Sequence, residues 1–305
     1  MFIHTVLGDI PASALGATAC HEHLLWAVPE PYTDEDPDLG FDSIPAAVAE
    51  LRHFKTAGGG ALVEMTTSEI GRCPRELKQI SLAGGVHVVA ATGHHKEKFS
   101  APKVGEKTVG EIAARIVADI QTGMEDTDIR AGVIKAATSA NTATESEQRV
   151  ITAAGEAHRA TGAPVSTHTE AGTFAVEQAR LLHAAGVPFE RMCIGHLDRG
   201  LPRETYLELA GMGVYLGFDQ VGKEKYWADA ERVALIQSLL RAGYGRQVLL
   251  SGDTARKSAW HTHNPLSKGI AHLLLRFVPT LQKAGVREND IRLMLVENPA
   301  RFLAF

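Results

Sequence analysis

Eight times along this chain a short run rich in Val, Ile, Ala and Thr gives way to a longer stretch whose apolar residues recur about every 3.6 positions. The short runs cover residues 17–24, 61–67, 86–93, 131–138, 164–169, 192–198, 213–219 and 247–253. Such near-continuous apolar runs read as parallel strands covered on both faces. The stretches between them, 44–57, 74–83, 107–123, 143–161, 173–185, 202–211, 228–242 and 266–284, read as helices. Thr144 and Glu147 form a capping-box pattern, and Gly162, Gly186 and Gly243 stand just beyond helical periodicity. A last helix over 287–304 is kinked or divided by Pro299. Turn residues near Gly8-Asp9 and Pro11 allow a hairpin ahead of the first unit.

Eight such units in 305 residues, without a Pro/Gly/Ser-rich linker or a residue-level repeat, predict a single α/β domain over 1–305, a closed (β/α)8 TIM barrel. An open doubly wound sheet is the alternative, weakened because no glycine fingerprint follows the first strand. Apolar residues at 45% and charged residues at 22% fit an ordinary water-soluble chain. A net charge of -5 with scattered Lys and Arg leaves no basic stripe, so nucleic acid is not an expected partner. Cys20, Cys73 and Cys193 form no CxxC pair and point to neither a disulfide framework nor a thiolate zinc site. No apolar run reaches about 18 residues and the first residues lack a signal-peptide pattern, so the expectation is a cytoplasmic protein with no membrane partner.

Charged groups inside apolar strands are costly unless paired, neutralised or bound to metal. They nevertheless stand near the C-terminal ends of five of the eight strands: His21 and His23 on the first, Lys135 on the fourth, His168 on the fifth, His196 on the sixth and Asp253 on the eighth. His21 and His23, two apart, project to one face of a strand. Taken singly, each has an ordinary alternative. His168 or His196 can be a satisfied core or rim histidine, Asp253 can cap the next helix, and Lys135 can snorkel to the rim or pair with a carboxylate. In a barrel all of these ends open on one mouth, where active sites of this fold lie, which makes coincidence the weaker explanation.

The segments His21-x-His23, Gly132-Val133-Ile134-Lys135, Thr167-His168-Thr169, Ile194-Gly195-His196 and Ser251-Gly252-Asp253 resemble, in order and position, the phosphotriesterase family of the amidohydrolase superfamily. The resemblance implies a binuclear centre in which Lys135, carbamylated by carbon dioxide, bridges two divalent metals. His21, His23 and Asp253 would hold one metal, and His168 and His196 the other. Imidazole and carboxylate ligands suit zinc, with manganese, cobalt or iron as alternatives. The implied nucleophile is a hydroxide shared by the metals, with Asp253 shuttling the proton to the leaving group. Barrels of the family are often homodimers.

Substrate choice falls to the loops. Lys223, Lys225 and Tyr226 follow the seventh strand and Arg256 lies three past Asp253, similar to the family's branch that opens lactones of phosphorylated furanose sugars. His95, in Gly93-His94-His95-Lys96, stands where acyl-homoserine lactone hydrolases of the family carry tyrosine, which counts against a long acyl chain. The expected function is a metal-dependent lactonase acting on a small phosphorylated sugar lactone. The alternatives are a carboxylesterase or phosphotriesterase acting on uncharged esters, and a metabolite-binding barrel without turnover.

Overall fold

The computed structural model describes residues 1–27 and 36–305. Eight parallel strands follow an N-terminal hairpin of β1 (Phe2–Thr5) and β2 (Gly8–Pro11). They are β3 (Ala17–Glu22), β4 (Gly59–Glu64), β5 (His87–Gly93), β6 (Val133–Thr138), β7 (Val165–Thr169), β8 (Met192–Ile194), β9 (Tyr215–Phe218) and β10 (Val248–Leu250). Each pairs with the next in chain order, and helices between them cover the outside, giving the (β/α)8 barrel. No backbone ladder joins β10 to β3. The seam is closed by Ser251, whose hydroxyl donates to the His21 carbonyl (2.8 Å) and accepts the His21 N–H (3.0 Å), and by the Asp253 N–H on the same carbonyl (3.1 Å).

Alternation along the strands sorts the core into two layers. On β6, Val133 joins an inner cluster with Cys20, Val63, Val89 and Cys193, whereas Ile134 and Ala136 face the surrounding helices. Lys135 therefore points up the barrel axis above Val133. The floor is plugged by both chain ends, with Phe2 and Phe305 exchanging backbone hydrogen bonds and Ile3, Phe302 and Leu303 buried beneath the strands. The hairpin is where the turn residues place it.

Two departures from the expected elements have local causes. The helix Glu97–Val104 was not foreseen, since Phe99 and Val104 are its only large apolar residues and Pro102 interrupts it. The segment expected to be one helix over 266–284 is instead a 3-10 turn (Gly269–Ala271), a π-helical turn (Leu273–Phe277) and an α-helix (Val278–Lys283). The final helix, expected to be kinked or divided at Pro299, is divided there by a π-helical turn, Leu293–Glu297. Each π turn ends two residues before a proline, Pro279 or Pro299. Proline offers no N–H to the carbonyl four back and its ring crowds that carbonyl, so the preceding turn widens.

Candidate metal centre and active site

The inward turn of the first two histidines depends on a bulge. Between the pairs Ala19–Leu62 and Glu22–Glu64, β3 spends one residue more than β4, so Cys20 and His21 together oppose Val63. Glu22 then faces outward and His23 inward. Two more of the candidate ligands sit on unusual backbone: His196 (φ 57°) and Asp253 (φ 46°) are left-handed, a conformation that non-glycine residues hold only where the surroundings impose it. Gly195 permits the first of these, because a Cβ there would strike the Thr167 carbonyl.

Lys135 is almost fully buried, and its Nζ lies 3.2 Å from His21 Nε2. Burial lowers its pKa to about 8 against the pull of Asp253 and Asp219, leaving a reactive neutral fraction near pH 7. Burial likewise holds His21 near 3 and His23 near 4, so both imidazoles are neutral ligands at physiological pH. His21, His23 and Asp253 each offer a donor atom within 4.8 Å of the others, as do His21, His196 and Asp219. The rings of His21 and His168 lie 4.9 and 4.6 Å from that of His196, and the buried Nε2 of His168 has no hydrogen-bond partner. Burial opposes the charge on Asp253, yet Lys223 at 2.5 Å and His23 hold its carboxyl well below the usual carboxylate range.

Asp219, at the end of β9, went unassigned in the sequence although it carries the same signal as the others, a charge closing an apolar strand. Its Oδ1 accepts from Nδ1 of His196 (2.7 Å) and from the His196 backbone N–H (2.9 Å). Its Oδ2 lies 3.1 Å from His21 Nδ1, off the hydrogen-bond line. On the far side, His23 Nδ1 donates to the Thr66 hydroxyl (2.8 Å), which donates onward to Glu64. With Nδ1 committed outward, His196 and His23 are left with Nε2 for the centre, the arrangement that fixes metal-ligating imidazoles, and His21 Nδ1 faces the same Asp219 carboxylate. Glu22, also overlooked, accepts from the N–H groups of Gly252 and Thr254 at 2.8 Å and shares the Ser251 hydroxyl proton with the His21 carbonyl (2.9 Å to Glu22), fixing the turn that carries Asp253.

This donor set fits divalent metal: neutral imidazoles and a carboxylate held ionised bring donor atoms within 4.8 Å of one another, the His168 ring with its unbonded Nε2 lies beside His196, and no thiolate is among them. Above it opens a cavity of about 250 Å³ at the C-terminal mouth. His95, Lys223, Tyr226 and Arg256 line it, whereas Lys225 stands outside on the exposed loop with its Nζ 4.9 Å from the Tyr226 ring centroid. Arg256 pairs with Asp36 (2.5 Å) and reaches Asp38 (3.7 Å). Trp26, Lys96, Phe99, Glu170, Arg199 and Gln220 also line the cavity without having been singled out in the sequence, because loop residues carry no periodicity to mark them.

Comparison with known proteins agrees with this architecture. Phospho-furanose lactonase of Mycoplasmopsis synoviae is 32% identical, the match covering 100% of this chain and 92% of the relative. N-acetyltaurine hydrolase of Danio rerio is 31% identical over 99% of this chain and 98% of the relative. The crystal structure of a lactonase from Listeria monocytogenes superposes with a TM-score of 0.93 at 31% identity, covering 100% of this chain and 99% of that one. The family model described as the phosphotriesterase family matches residues 1–303. The chain is a hydrolase belonging to the phosphotriesterase family.

Proposed function

We propose that this protein is a lactonase that opens a small phosphorylated sugar lactone. The observation that carries the reading is the charge of the cavity. Among the described residues its lining holds Lys96, Arg199, Lys223 and Arg256 against Glu170 and Asp253, a surplus of two positive charges in a chain whose net charge is -5. Such a surplus suits a dianionic phosphate ester and gives an uncharged ester nothing to pair with. The likeness to the phospho-furanose lactonase supports the same class of substrate.

His21, His23 and Asp253 would hold one divalent ion and His168 and His196 a second, with carbamylated Lys135 between them; zinc matches these donors best. The metal supplies Lewis-acid polarisation of the lactone carbonyl and a water acidified to near neutral pH. Asp253, held by Lys223 and by the Gln220 amide (3.3 Å), is placed to take a proton from the attacking water at Oδ2 and return it to the departing ring oxygen. Trp26 and Phe99 exclude bulk water from the lining. His95, whose Nδ1 accepts the Lys96 N–H (2.7 Å), carries its proton on Nε2 and donates from there to the substrate. Arg256 and Asp36 are about one-third exposed, so solvent screens their pairing and an incoming phosphate can displace it.

The likeness to N-acetyltaurine hydrolase makes an acylated aminosulfonate, an amide bearing an anion, the second reading. A panel assayed with metal-loaded enzyme separates them: paired phosphorylated and unphosphorylated aldonolactones, an uncharged phosphotriester and N-acetyltaurine. The phosphorylated lactone is expected to give the highest kcat/KM, by about a hundredfold over its unphosphorylated partner, consistent with two or more charge-assisted hydrogen bonds. Equal rates on the two lactones, or faster turnover of the amide, would overturn the assignment.

A further inference from the structure

Three of the four cations around the cavity already have a carboxylate partner: Lys96 pairs with Glu170, Lys223 with Asp253 and Arg256 with Asp36. Among the described residues, Arg199 has none. It follows β8 three residues after His196, and it is half-buried with its guanidinium centred 3.7 Å over the ring of Tyr226. That distance puts the cation flat against the aromatic face, where the ring quadrupole attracts it and restricts its rotation. Among the described residues Nε is the one side-chain nitrogen of Arg199 with a partner, donating to Oε1 of Gln220. Gln220 is itself fixed from two sides, its backbone N–H donating to Asp198 (3.0 Å) and its Nε2 to Asp253. A guanidinium anchored through Nε and stacked on a ring keeps both Nη groups uncommitted, and their forked donors match two oxygens of a phosphate.

We propose that Arg199, oriented by Tyr226 and Gln220, is a phosphate-recognition residue that contributes to the preference for phosphorylated over unphosphorylated substrate. This assignment rests on the lactonase reading above and adds, on the β8 side of the cavity, a donor distinct from the loop cations after β9 and β10. The physical reason is that binding to Arg199 breaks no ion pair among the described residues, whereas Lys96 and Lys223 must each release a carboxylate first. Arg199 touches no candidate metal ligand directly, since Gln220 stands between it and Asp253.

The test compares wild type, Arg199→Met and Arg199→Lys, each metal-loaded, on a phosphorylated lactone and its unphosphorylated partner. Calorimetric binding of ribose 5-phosphate, a sugar phosphate with no scissile lactone, supplies a readout independent of turnover. Expected for Arg199→Met are a rise in KM of about tenfold or more on the phosphorylated lactone with little change in kcat, weaker ribose 5-phosphate binding by a similar factor, and kcat/KM on the unphosphorylated lactone within about twofold of wild type. Arg199→Lys, which keeps the charge and loses the fork and the stack, is expected to fall between. An equal loss on both lactones with unchanged ribose 5-phosphate binding would mean that Arg199 only props Gln220, and would overturn the proposal. Unchanged KM in Arg199→Met would do the same. If wild type turns over no phosphorylated lactone, the lactonase reading fails, and the binding comparison still decides whether Arg199 grips phosphate.

Discussion

At the scale of single residues, the candidate ligand histidines depend on a carboxylate that need not touch metal. Asp219 is buried against His21 and His196, and although burial opposes its charge, the two imidazoles hold its carboxyl far below the usual carboxylate range. Asp219→Asn keeps the shape but removes the charge and half the accepting capacity, so one Nδ1–H loses its acceptor. Metal affinity is expected to fall about 10–100-fold, the usual cost of losing such an orienting partner, with the fold intact. Competition with a chromophoric chelator measures this; an unaltered affinity would assign Asp219 a purely structural role. The sequence made six residues of this centre legible for a physical reason: a charge at the end of an apolar strand is expensive and therefore conspicuous. Asp219 was equally conspicuous. Arg199 and Lys96 were not, because a charged residue in a loop is cheap and loops give no reason to single one out.

At the scale of elements, the helix Ile44–Thr56 anchors the long excursion after β10. Its buried Glu50 accepts the N–H groups of Ile270 (3.1 Å) and Thr262 (3.3 Å), pinning the chain just before the π turn. Burial raises the Glu50 pKa above its ordinary value, against the backbone donors that favour the anion. A carboxyl whose pKa is raised on folding binds more protons in the folded state. Its contribution is therefore complete below the ordinary carboxylate range near 4.5 and is lost as pH climbs through the raised value. Glu50→Gln is expected to flatten that decline in denaturant-unfolding curves taken from about pH 5 upward, whereas Glu50→Ala should cost roughly 1–3 kcal/mol at all pH values by orphaning the Ile270 N–H. Parallel curves for wild type and Glu50→Gln would contradict it. Strand and helix order was readable from periodicity, and the capping box at Thr144 and Glu147 forms as its residues indicate. The break in the 266–284 segment was not, because π-turn widening ahead of Pro279 leaves the apolar spacing almost unchanged.

At the scale of the molecule, the barrel gathers residues up to 235 positions apart (His21 and Arg256) onto one mouth, and its closure positions part of the chemistry. The seam between β10 and β3 is made by Ser251 and Glu22, so the groups that shut the barrel also set the positions of His21 and Asp253. A metal that spans this seam ties the first strand to the last and should stabilise the folded chain as well as activate water. Among the described residues no helix is long and apolar enough to cross a membrane. The central claim is that the strand ends form one metal centre with Lys135 at its heart, and metal analysis of purified wild type beside Lys135→Met tests it most directly. Wild type should carry about two divalent ions per chain and lose lactone hydrolysis on chelation, and Lys135→Met should carry at most about one with activity down by orders of magnitude. A wild-type protein that hydrolyses lactone at full rate without metal, or a Lys135→Met variant that keeps both ions and full activity, would contradict it.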